Sequence, residues 1–310
     1  MLRYYEKRSQ GEEFTEVKAP RSGDTWVYGE EITTDDIEYV TSSYNLNRNI
    51  VNDVLDAAEL PRIEYDNDTE YVFLRMPSLT KKGSLVTSPF LLIIQNKQFI
   101  SLARASSSLP VDKIASSMRD KQARPASLLL ASTAALVASY EDLIQHTSNS
   151  IHDTGNRLRT HEVTNNDFIH FVTVEQNLNE YQMNLDSMVV VTQRLQENKH
   201  EIFNDDELEA IADITLHLKQ LLVGVETSAK RVDSIRNAYS TIANNNLNQR
   251  MRILTVFTVL IALPNVFYGM YGMNVVLPFH DQPWAYGAIV SFTVILLVVV
   301  YTLAKRTKLF

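Results

Sequence analysis

The stretch "ILTVFTVLIALPNVFYGMY" (Ile253–Tyr271) runs for 19 residues without a charged side chain. A second stretch, "AYGAIVSFTVILLVVVYTLA" (Ala285–Ala304), does so for 20 residues. A bilayer core needs about 20 apolar residues of helix, whereas strands rarely exceed about ten residues. Length therefore predicts two transmembrane helices. The segment "ASLLLASTAALVASY" (Ala126–Tyr140) is shorter and rich in small residues, which predicts a buried helix of a soluble region instead.

Positive charge predicts the orientation of these spans. Basic residues lie just before the first span and just after the second: Arg250, Arg252, Lys305, Arg306 and Lys308. The connecting loop, residues 272–284, carries no Lys or Arg. Because cytoplasmic flanks are enriched in basic residues, we expect a multi-pass protein of the plasma membrane with both termini in the cytoplasm and the loop outside.

The rest of the chain is acidic. Of the 310 residues, the first 250 carry 25 basic and 36 acidic side chains, a net charge of −11, whereas residues 251–310 carry a net +3. An acidic body lacks the basic patches that neutralise phosphates, so we expect no nucleic-acid partner, while cations are compatible partners. The absence of cysteine excludes disulfides and thiolate metal sites.

No enzymatic constellation is recognisable in the sequence. The chain has no Walker-type or Gly-Xaa-Gly phosphate loop, and "HEVTN" (His161–Asn165) lacks the second histidine of a zinc-protease helix. No pair of nucleophile and base stands out. We therefore expect no catalytic residues and no enzyme.

Residues 1–125 are predicted to form a cytoplasmic α/β domain. Strands are expected where β-branched and aromatic residues cluster, at Asp24–Glu30 and Glu70–Pro77, and a hairpin is expected over Ser88–Ala103 with its turn at Asn96-Lys97. Two segments between these strands have helical spacing, and their predicted N-caps are Thr33 or Thr34 and Asn47.

Residues 126–250 are predicted to form a helical stalk, with breaks near 160–167 and 198–206. From Asn204, a predicted N-cap, to Tyr271 the only helix-weakening residues are Gly224 and Pro264. This pattern predicts one helix over about 205–271, roughly 100 Å long, that continues into the first span of the transmembrane region, residues 251–310.

The first turns of this helix hold an acidic cluster: Asp205, Asp206, Glu207 and Glu209. These side chains either complement the helix dipole or bind a divalent cation. The sequence leaves both interpretations open.

Small and polar residues follow one face of the predicted long helix at alternating steps of three and four. The row consists of Asn237, Thr241, Asn244, Asn248, Met251, Thr255, Thr258, Ala262, Asn265, Gly269 and Gly272. Helix packing in a membrane also uses such residues, but a row this long favours a water-accessible axis. Met251 and the adjacent Leu254 interrupt its polarity, and we expect them to form a hydrophobic constriction that gates by dewetting.

The segment "FYGMYGMNVVLP" (Phe267–Pro278) closes the first span. Gly269 and Gly272 let backbones approach an axis and let carbonyl groups face it. Asn274 places an amide oxygen at the outer end of this axis. Because Mg²⁺ keeps its waters where it can, neutral oxygens that accept hydrogen bonds from a hydrated ion suit this cation.

"YGMN" (Tyr271–Asn274) at the end of the first of two C-terminal spans resembles the signature of the CorA family of magnesium transport proteins. "PNVFYGMYGMN" and "LPRIEYDNDTEYVFLRMP" are similar to that family's pore end and cytoplasmic domain, so the resemblance covers nearly the whole chain.

The resemblance implies a homopentamer with a funnel of long helices, in which the first span lines the pore. Gly272, Met273 and Asn274 would select the ion. Mg²⁺ would be both the transported ion, with Co²⁺ or Ni²⁺ as further candidates, and a regulator that closes the channel when bound between cytoplasmic domains. Asp213 matches the family's regulatory acidic position on the long helix.

The sequence departs from the family pattern at two places. Phe279 stands where relatives often carry an acid after Gly-Met-Asn, so Asp281 is the sole acid of the outer loop and external cation attraction is weaker or relocated. Asn237 occupies a position that is acidic in some relatives, which puts an inner cation ring in doubt.

Two other functions compete with the Mg²⁺ channel. The zinc-transporting branch of the superfamily typically departs from Met in the tripeptide, so Met273 argues against it. A non-conducting membrane-anchored scaffold or sensor is the second alternative. The continuous polar row argues against it, because an anchor needs no such face.

Overall fold

The structure, a computed structural model, describes residues 2–7, 13–19, 24–106, 109–118, 124–160, 165–273 and 281–306. Side chains of 157–160 and 165–168 are not described. The chain divides into two compact units, Met1–Ser234 and Ile235–Phe310. The division falls between Ser234 and Ile235, ahead of the predicted domain boundary at 250; the predicted boundaries at 125 and 250 stay predictions.

The first unit contains a mixed sheet, which in the described residues has seven strands in the order β2-β1-β3-β7-β6-β5-β4. The strands are β1 (Leu2–Lys7), β2 (Thr15–Val17), β3 (Asp24–Gly29), β4 (Arg62–Asp66), β5 (Thr69–Leu79), β6 (Leu85–Gln95) and β7 (Gln98–Ala103). Neighbours are antiparallel except β3 and β7, which pair in parallel. Strands and helices mix in this unit, and the predicted α/β class is confirmed.

Local sequence signals fix the turns and helix starts of this unit. The predicted hairpin joins β6 to β7 through Asn96 and Lys97, and Asn96 takes the left-handed backbone conformation (φ 49°) that asparagine tolerates. Helix α1 (Thr34–Tyr44) starts at Thr33, whose hydroxyl accepts from the Asp36 N–H in a capping box. The predicted cap Asn47 starts α2 (Arg48–Asn52) in the same way, by accepting from Asn49.

Helices cover the two faces of the sheet. On one face, α1, α2 and the short 3₁₀ turn Asp53–Leu55 enclose a core of buried aliphatic and aromatic residues that includes Val27, Tyr71, Phe73, Leu91, Ile93 and Ile100. Helices α3 (Val111–Ser117) and α4 (Pro125–Thr160) follow the sheet. The buried Tyr140 of α4 donates a hydrogen bond to the Arg75 carbonyl of β5 at 2.9 Å, which ties this helix to the second face.

Long helices make up the rest of the chain: α5 (Asn165–Gln196), α6 (Asp205–Tyr271) and α7 (Ala285–Arg306). The predicted break at 160–167 lies partly outside the described residues, since 161–164 are not described. Helix α6 has 67 residues and covers the range for which the sequence predicts one continuous helix.

Among the described residues, three helices are long and apolar enough to cross a membrane: α4, α6 and α7. They differ in how much of the apolar window the chain itself buries. The window of α4 is 50% buried, whereas those of α6 and α7 are 6% and 11% buried. Half of the α4 window thus packs against its own unit, and the expectation of a buried soluble helix at Ala126–Tyr140 stays a prediction.

Reciprocal hydrogen bonds fix the start of α6. The Glu207 N–H donates to the Asn204 side chain at 2.9 Å, and the Asn204 N–H donates to the Glu207 carboxylate at 3.0 Å. Arg124 and Ser127, which lie just before and within α4, also donate to this carboxylate, each at 2.9 Å. Glu207 is therefore a cap and an anchor, which favours the helix-terminus interpretation of the acidic cluster.

One acid lies in an apolar environment without compensation. Glu70 of β5 is paired in register with Tyr65 of β4 and Ile94 of β6, and it is 6% exposed. No described residue hydrogen-bonds to its Oε2. Burial raises the pKa of this carboxyl to about 7 from an ordinary value of 4.5.

We predict that Glu70 makes the stability of the protein fall as pH rises. The native state holds the proton more tightly than the unfolded state, so the penalty is absent below pH 4.5, grows between 4.5 and about 7, and is complete above that, at an upper bound of about 3 kcal/mol. Glu70→Gln should raise the melting temperature above that of the parent protein, and this gain should be larger at pH 8 than at pH 5. An equal effect at both pH values, measured by thermal unfolding, would contradict this assignment.

Candidate ion pathway

The predicted pore-lining row lies along α6 within the second unit. In a single chain, every one of its members is exposed: Asn237, Thr241, Asn244, Asn248, Met251, Leu254, Thr255, Thr258, Ala262, Asn265, Gly269 and Gly272. No Asp or Glu occurs between Asp233 and Asp281, so the row carries no negative charge.

Helix α7 packs against the other side of α6. Between residues 251 and 273, the positions with reduced exposure are Ile253, Val256, Leu260, Leu263, Pro264 and Phe267. Phe267 meets Phe292 of α7 edge to face, with ring centroids 5.3 Å apart. At 100° per residue, this apolar row and the polar row are centred roughly 160° apart around the helix. Contact with α7 therefore leaves most of the polar row uncovered.

The end of the pathway nearest Arg252 is an exception. There, Asn248, Met251 and Thr255 border a groove of about 840 Å³, whose other wall is made by Val300, Leu303 and Ala304 of α7. The groove is mostly apolar, so the polar row and α7 approach each other at this end.

Threonine hydroxyls of the row donate hydrogen bonds to backbone carbonyl groups of α6. Thr241, Thr255 and Thr258 each donate to the carbonyl oxygen four residues earlier, at 2.9 Å. The hydroxyl hydrogen is thereby used, and each oxygen presents its remaining lone pairs outward. These residues can accept hydrogen bonds from the water shell of a cation, but they cannot bind it as carboxylates would.

The helix end has its own backbone constraints. Pro264 has no N–H, so the Leu260 carbonyl lacks its usual helical donor. The Gly272 N–H donates to the Tyr268 and Gly269 carbonyls at 3.0 and 3.2 Å, where α6 ends. A Cβ added at Gly272 would come within 3.3 Å of the Tyr268 carbonyl oxygen, whereas one at Gly269 would meet nothing within 4 Å. Within one chain, there is thus little room for a side chain at position 272, whereas position 269 has room for one.

The proposed selectivity residues are only partly described. Met273 is exposed and Asp281 is exposed at the start of the described segment that leads into α7. Asn274 and Phe279 lie outside the described residues, so their predicted roles stay predictions.

Asp213 lies on α6 within the first unit, away from the polar row in sequence. It is exposed and borders a groove of about 520 Å³ between α4 and α6, together with Asp206, Glu207 and Arg124. Glu207 is already held by Arg124 and by the N-cap. Among the described residues, no group of three or more His, Cys, Asp or Glu side chains is arranged to hold a metal ion. The residues of one chain therefore do not complete a metal site at Asp213.

Sequence reasoning missed Arg124 and Ser127 as partners of Glu207. Neither residue belongs to a sequence pattern that predicts a contact with a residue about 80 positions later in the chain. The capping motif Asn204-Xaa-Xaa-Glu207 was the signal that could have identified Glu207 as structural.

Comparison with known proteins places the chain in a family. The family model for the CorA-like Mg²⁺ transporter protein matches residues 22–306. The chain belongs to this family. It is 20% identical over 291 residues to the cobalt/magnesium transport protein CorA of Thermotoga maritima, covering 89% of this chain and 80% of that protein.

Two solved structures share the fold. The complete CorA magnesium transporter of Methanocaldococcus jannaschii superposes with a TM-score of 0.87 at 17% identity, covering 99% of this chain and 98% of that one. The ZntB cytoplasmic domain of Vibrio parahaemolyticus gives a TM-score of 0.61 at 14% identity, covering 78% and 98% of the two chains.

The family and the fold class predicted from the sequence are confirmed by these matches. The chain is a member of a family of membrane transporters of divalent cations, and that family membership gives no support to an enzymatic role. The likeness to the ZntB cytoplasmic domain covers 78% of this chain, and it shows a shared fold.

We predict that Met251 and Leu254, which are 53% and 59% exposed in one chain, form a constriction where copies of α6 meet. Replacing both with Ser should wet that constriction and give a leak at high internal Mg²⁺ in electrical recordings. The matched control is Ile295→Ser with Val298→Ser, two apolar residues of α7 that are 63% and 56% exposed, which should leave closure intact. A gate that closes normally in the Met251/Leu254 variant would lie elsewhere.

Proposed function

We propose that the chain assembles into a homopentamer in the plasma membrane and lets Mg²⁺ flow into the cell along the polar row of α6. One observation carries this proposal: an uncharged row rich in Asn, Thr and Gly runs along the apolar part of α6, and α7 leaves most of it uncovered. In lipid, such a row needs protein or water beside it. Several copies around an axis would supply both.

The chemistry of the row fits a hydrated divalent cation. Mg²⁺ releases its waters reluctantly, so a pathway that accepts hydrogen bonds from those waters passes the ion without stripping it. The outward lone pairs of Thr255 and Thr258, and the amide oxygens of Asn248 and Asn265, are acceptors of this kind. Carboxylates at the same positions would bind the ion more tightly and release it more slowly.

Co²⁺ and Ni²⁺ are further candidate ions, because both are divalent and hydrated. The name of the Thermotoga maritima relative pairs cobalt with magnesium. In the proposed assembly, α6 and α7 cross the bilayer, both termini lie in the cytoplasm, and the segment between the two helices faces outside. Gly272, Met273 and Asn274 form the outer selectivity ring, and Asp281 is the acid nearest to it.

Regulation is proposed to involve Asp213. Asp213 and Asp206 lie beside one groove, but the described residues hold no group of three or more potential metal ligands there, so a metal at this place requires groups from a second copy. Intracellular Mg²⁺ that binds only between docked subunits would stabilise the closed arrangement in proportion to the logarithm of its concentration. Internal Mg²⁺ would then oppose further entry.

The zinc alternative is weaker. The ZntB likeness concerns a cytoplasmic domain at 14% identity, and Met273 keeps the Gly-Met-Asn tripeptide that the zinc branch typically loses. Zn²⁺ flux that exceeds Mg²⁺ flux in the same liposomes would favour it. A scaffold that conducts nothing would give no metal-dependent flux in that assay at all.

We predict that Asn274→Ala abolishes Mg²⁺ flux into liposomes, because the amide is proposed to meet water on the entering ion. The variant should elute as the same oligomer as the parent protein. Gln282→Ala removes an exposed amide from the described part of the same loop and should leave flux unchanged. Parental uptake by a correctly assembled Asn274→Ala protein would remove the selectivity assignment.

Asp213→Ala is predicted to blunt the protection that Mg²⁺ gives against protease and heat, and to raise the Mg²⁺ concentration needed for closure. Glu226→Ala removes an exposed acid from the same helix and serves as the matched control. If Asp213→Ala and the control keep the parental Mg²⁺ dependence in both assays, Asp213 is a solvated surface charge and not a sensor.

A further inference from the structure

A cavity of about 430 Å³ lies at the edge of the sheet in the first unit, apart from the proposed ion pathway. Its walls come from the edge strand β4, the adjacent β5, the last turn of α5 and the loop that follows. Its polar lining includes Tyr65, Glu70, Arg194, Asn198, Lys199 and His200. This volume is in the range of pockets that take small molecules.

Glu70 forms the interior of the cavity. It continues the face of β5 on which Val72 and Leu74 are fully buried, so an aliphatic residue would be the simplest occupant of its position. Its carboxylate is more than nine-tenths buried and its Oε2 lacks a described hydrogen-bond partner. Burial alone accounts for its raised pKa, and no lowering contribution from a cation of the chain accompanies it. The acid is thus uncompensated by its own protein.

The rim of the cavity is basic. Arg194 is exposed in the last turn of α5 and forms no ion pair with a described residue. Lys199 pairs with Glu197 at 3.0 Å, but both side chains are exposed, so this ion pair is weak and a bound anion can replace Glu197 in it. The His200 ring stacks on Tyr65 with centroids 3.6 Å apart. Negative charge therefore lies inside and positive charge at the mouth.

The loop that closes the cavity is held in shape without a ligand. The Asn198 side chain donates to the Phe203 carbonyl at 2.8 Å and accepts from the Phe203 N–H at 3.0 Å. Asn198 and Glu201 both take left-handed backbone conformations, with φ of 46° and 53°. These bonds fix the wall of the cavity without a guest, and a guest that pairs with the shielded Glu70 carboxylate has only the side chains around that group to displace.

We propose that this cavity binds a small zwitterion, whose ammonium group pairs with Glu70 inside and whose carboxylate pairs with Arg194 at the rim. An ammonium donates up to three hydrogen bonds and would neutralise a carboxylate to which the described residues supply no cation. A divalent cation fits less well, because the mouth carries Arg194 and Lys199 and the described oxygens do not form a metal-ligand group. The site goes beyond the transport function and depends on none of its residues.

The test uses the full-length protein in detergent at pH 8 and a series of amino acids with growing separation between the two charges: glycine, β-alanine, 4-aminobutyrate and 6-aminohexanoate. At least one of them, at about 10 mM, should raise the melting temperature and give a calorimetric binding isotherm. Butylamine and butyrate, each with one of the two charges, should bind at least about tenfold more weakly.

Variants assign the contacts. Glu70→Gln should abolish binding, and Arg194→Ala, an exposed change that does not disturb the fold, should weaken it about tenfold or more. Glu209→Gln removes an exposed acid of the same unit and should bind as the parent does. Binding should also weaken from pH 8 to pH 6 as Glu70 takes up a proton. Tyr65, Arg194, Glu197, Lys199 and His200 line the same cavity, so His200→Gln, which leaves Glu70 in place, should keep the pH effect.

Several results would overturn the proposal. One is the absence of binding by every probe; another is equal binding by the parent and both variants. Stabilisation by Mg²⁺ alone that is lost in Glu70→Gln would make this a metal site. A pH-dependent stability that requires Glu70 but involves no probe would make Glu70 a proton-binding group only.

Discussion

Lipid offers no hydrogen-bonding partner to a polar side chain, and this constraint governs how the C-terminal part of the protein can exist. Apart from the Leu260 carbonyl, which Pro264 leaves without its usual donor, α6 satisfies its backbone internally, but its row of Asn and Thr side chains still needs polar partners. Helix α7 contacts the opposite face, where Phe267 meets Phe292, and leaves most of that row uncovered. A single chain therefore leaves polar side chains without partners in a bilayer, and copies arranged around a water-filled axis, as proposed above, would supply them.

The soluble unit secures the start of the same helix. The buried Glu207 carboxylate accepts hydrogen bonds from the Asn204 N–H, the Arg124 guanidinium and the Ser127 hydroxyl. The start of α6 is thereby tied to the start of α4, which in turn is tied to the sheet by Tyr140. The start of α6 is thus held by polar contacts, whereas its last turns pack through apolar side chains.

Much of this arrangement could be predicted because it depends on local patterns. The bounds of α6, the caps at Thr33, Asn47 and Asn204, and the hairpin turn at Asn96 follow from side chains a few residues apart. Pairings across long separations could not be predicted in this way: the parallel contact of β3 with β7, the Arg124–Glu207 ion pair, and the enclosure of Glu70 by the loop after α5. Each depends on where the fold brings distant segments, and a carboxylate in a strand gives no sign that a distant loop will bury it.

The most direct test of the account exploits the absence of cysteine from the chain. Single cysteines are introduced along α6 in the assembled protein and exposed to a charged, water-soluble thiol reagent. The account predicts reaction at Asn248, Thr255, Thr258 and Ala262, protection of these positions by Mg²⁺, and no reaction at Val256 or Leu260. Reaction without this periodicity, or reaction confined to the α7 side, would contradict a water-filled pathway along the polar row.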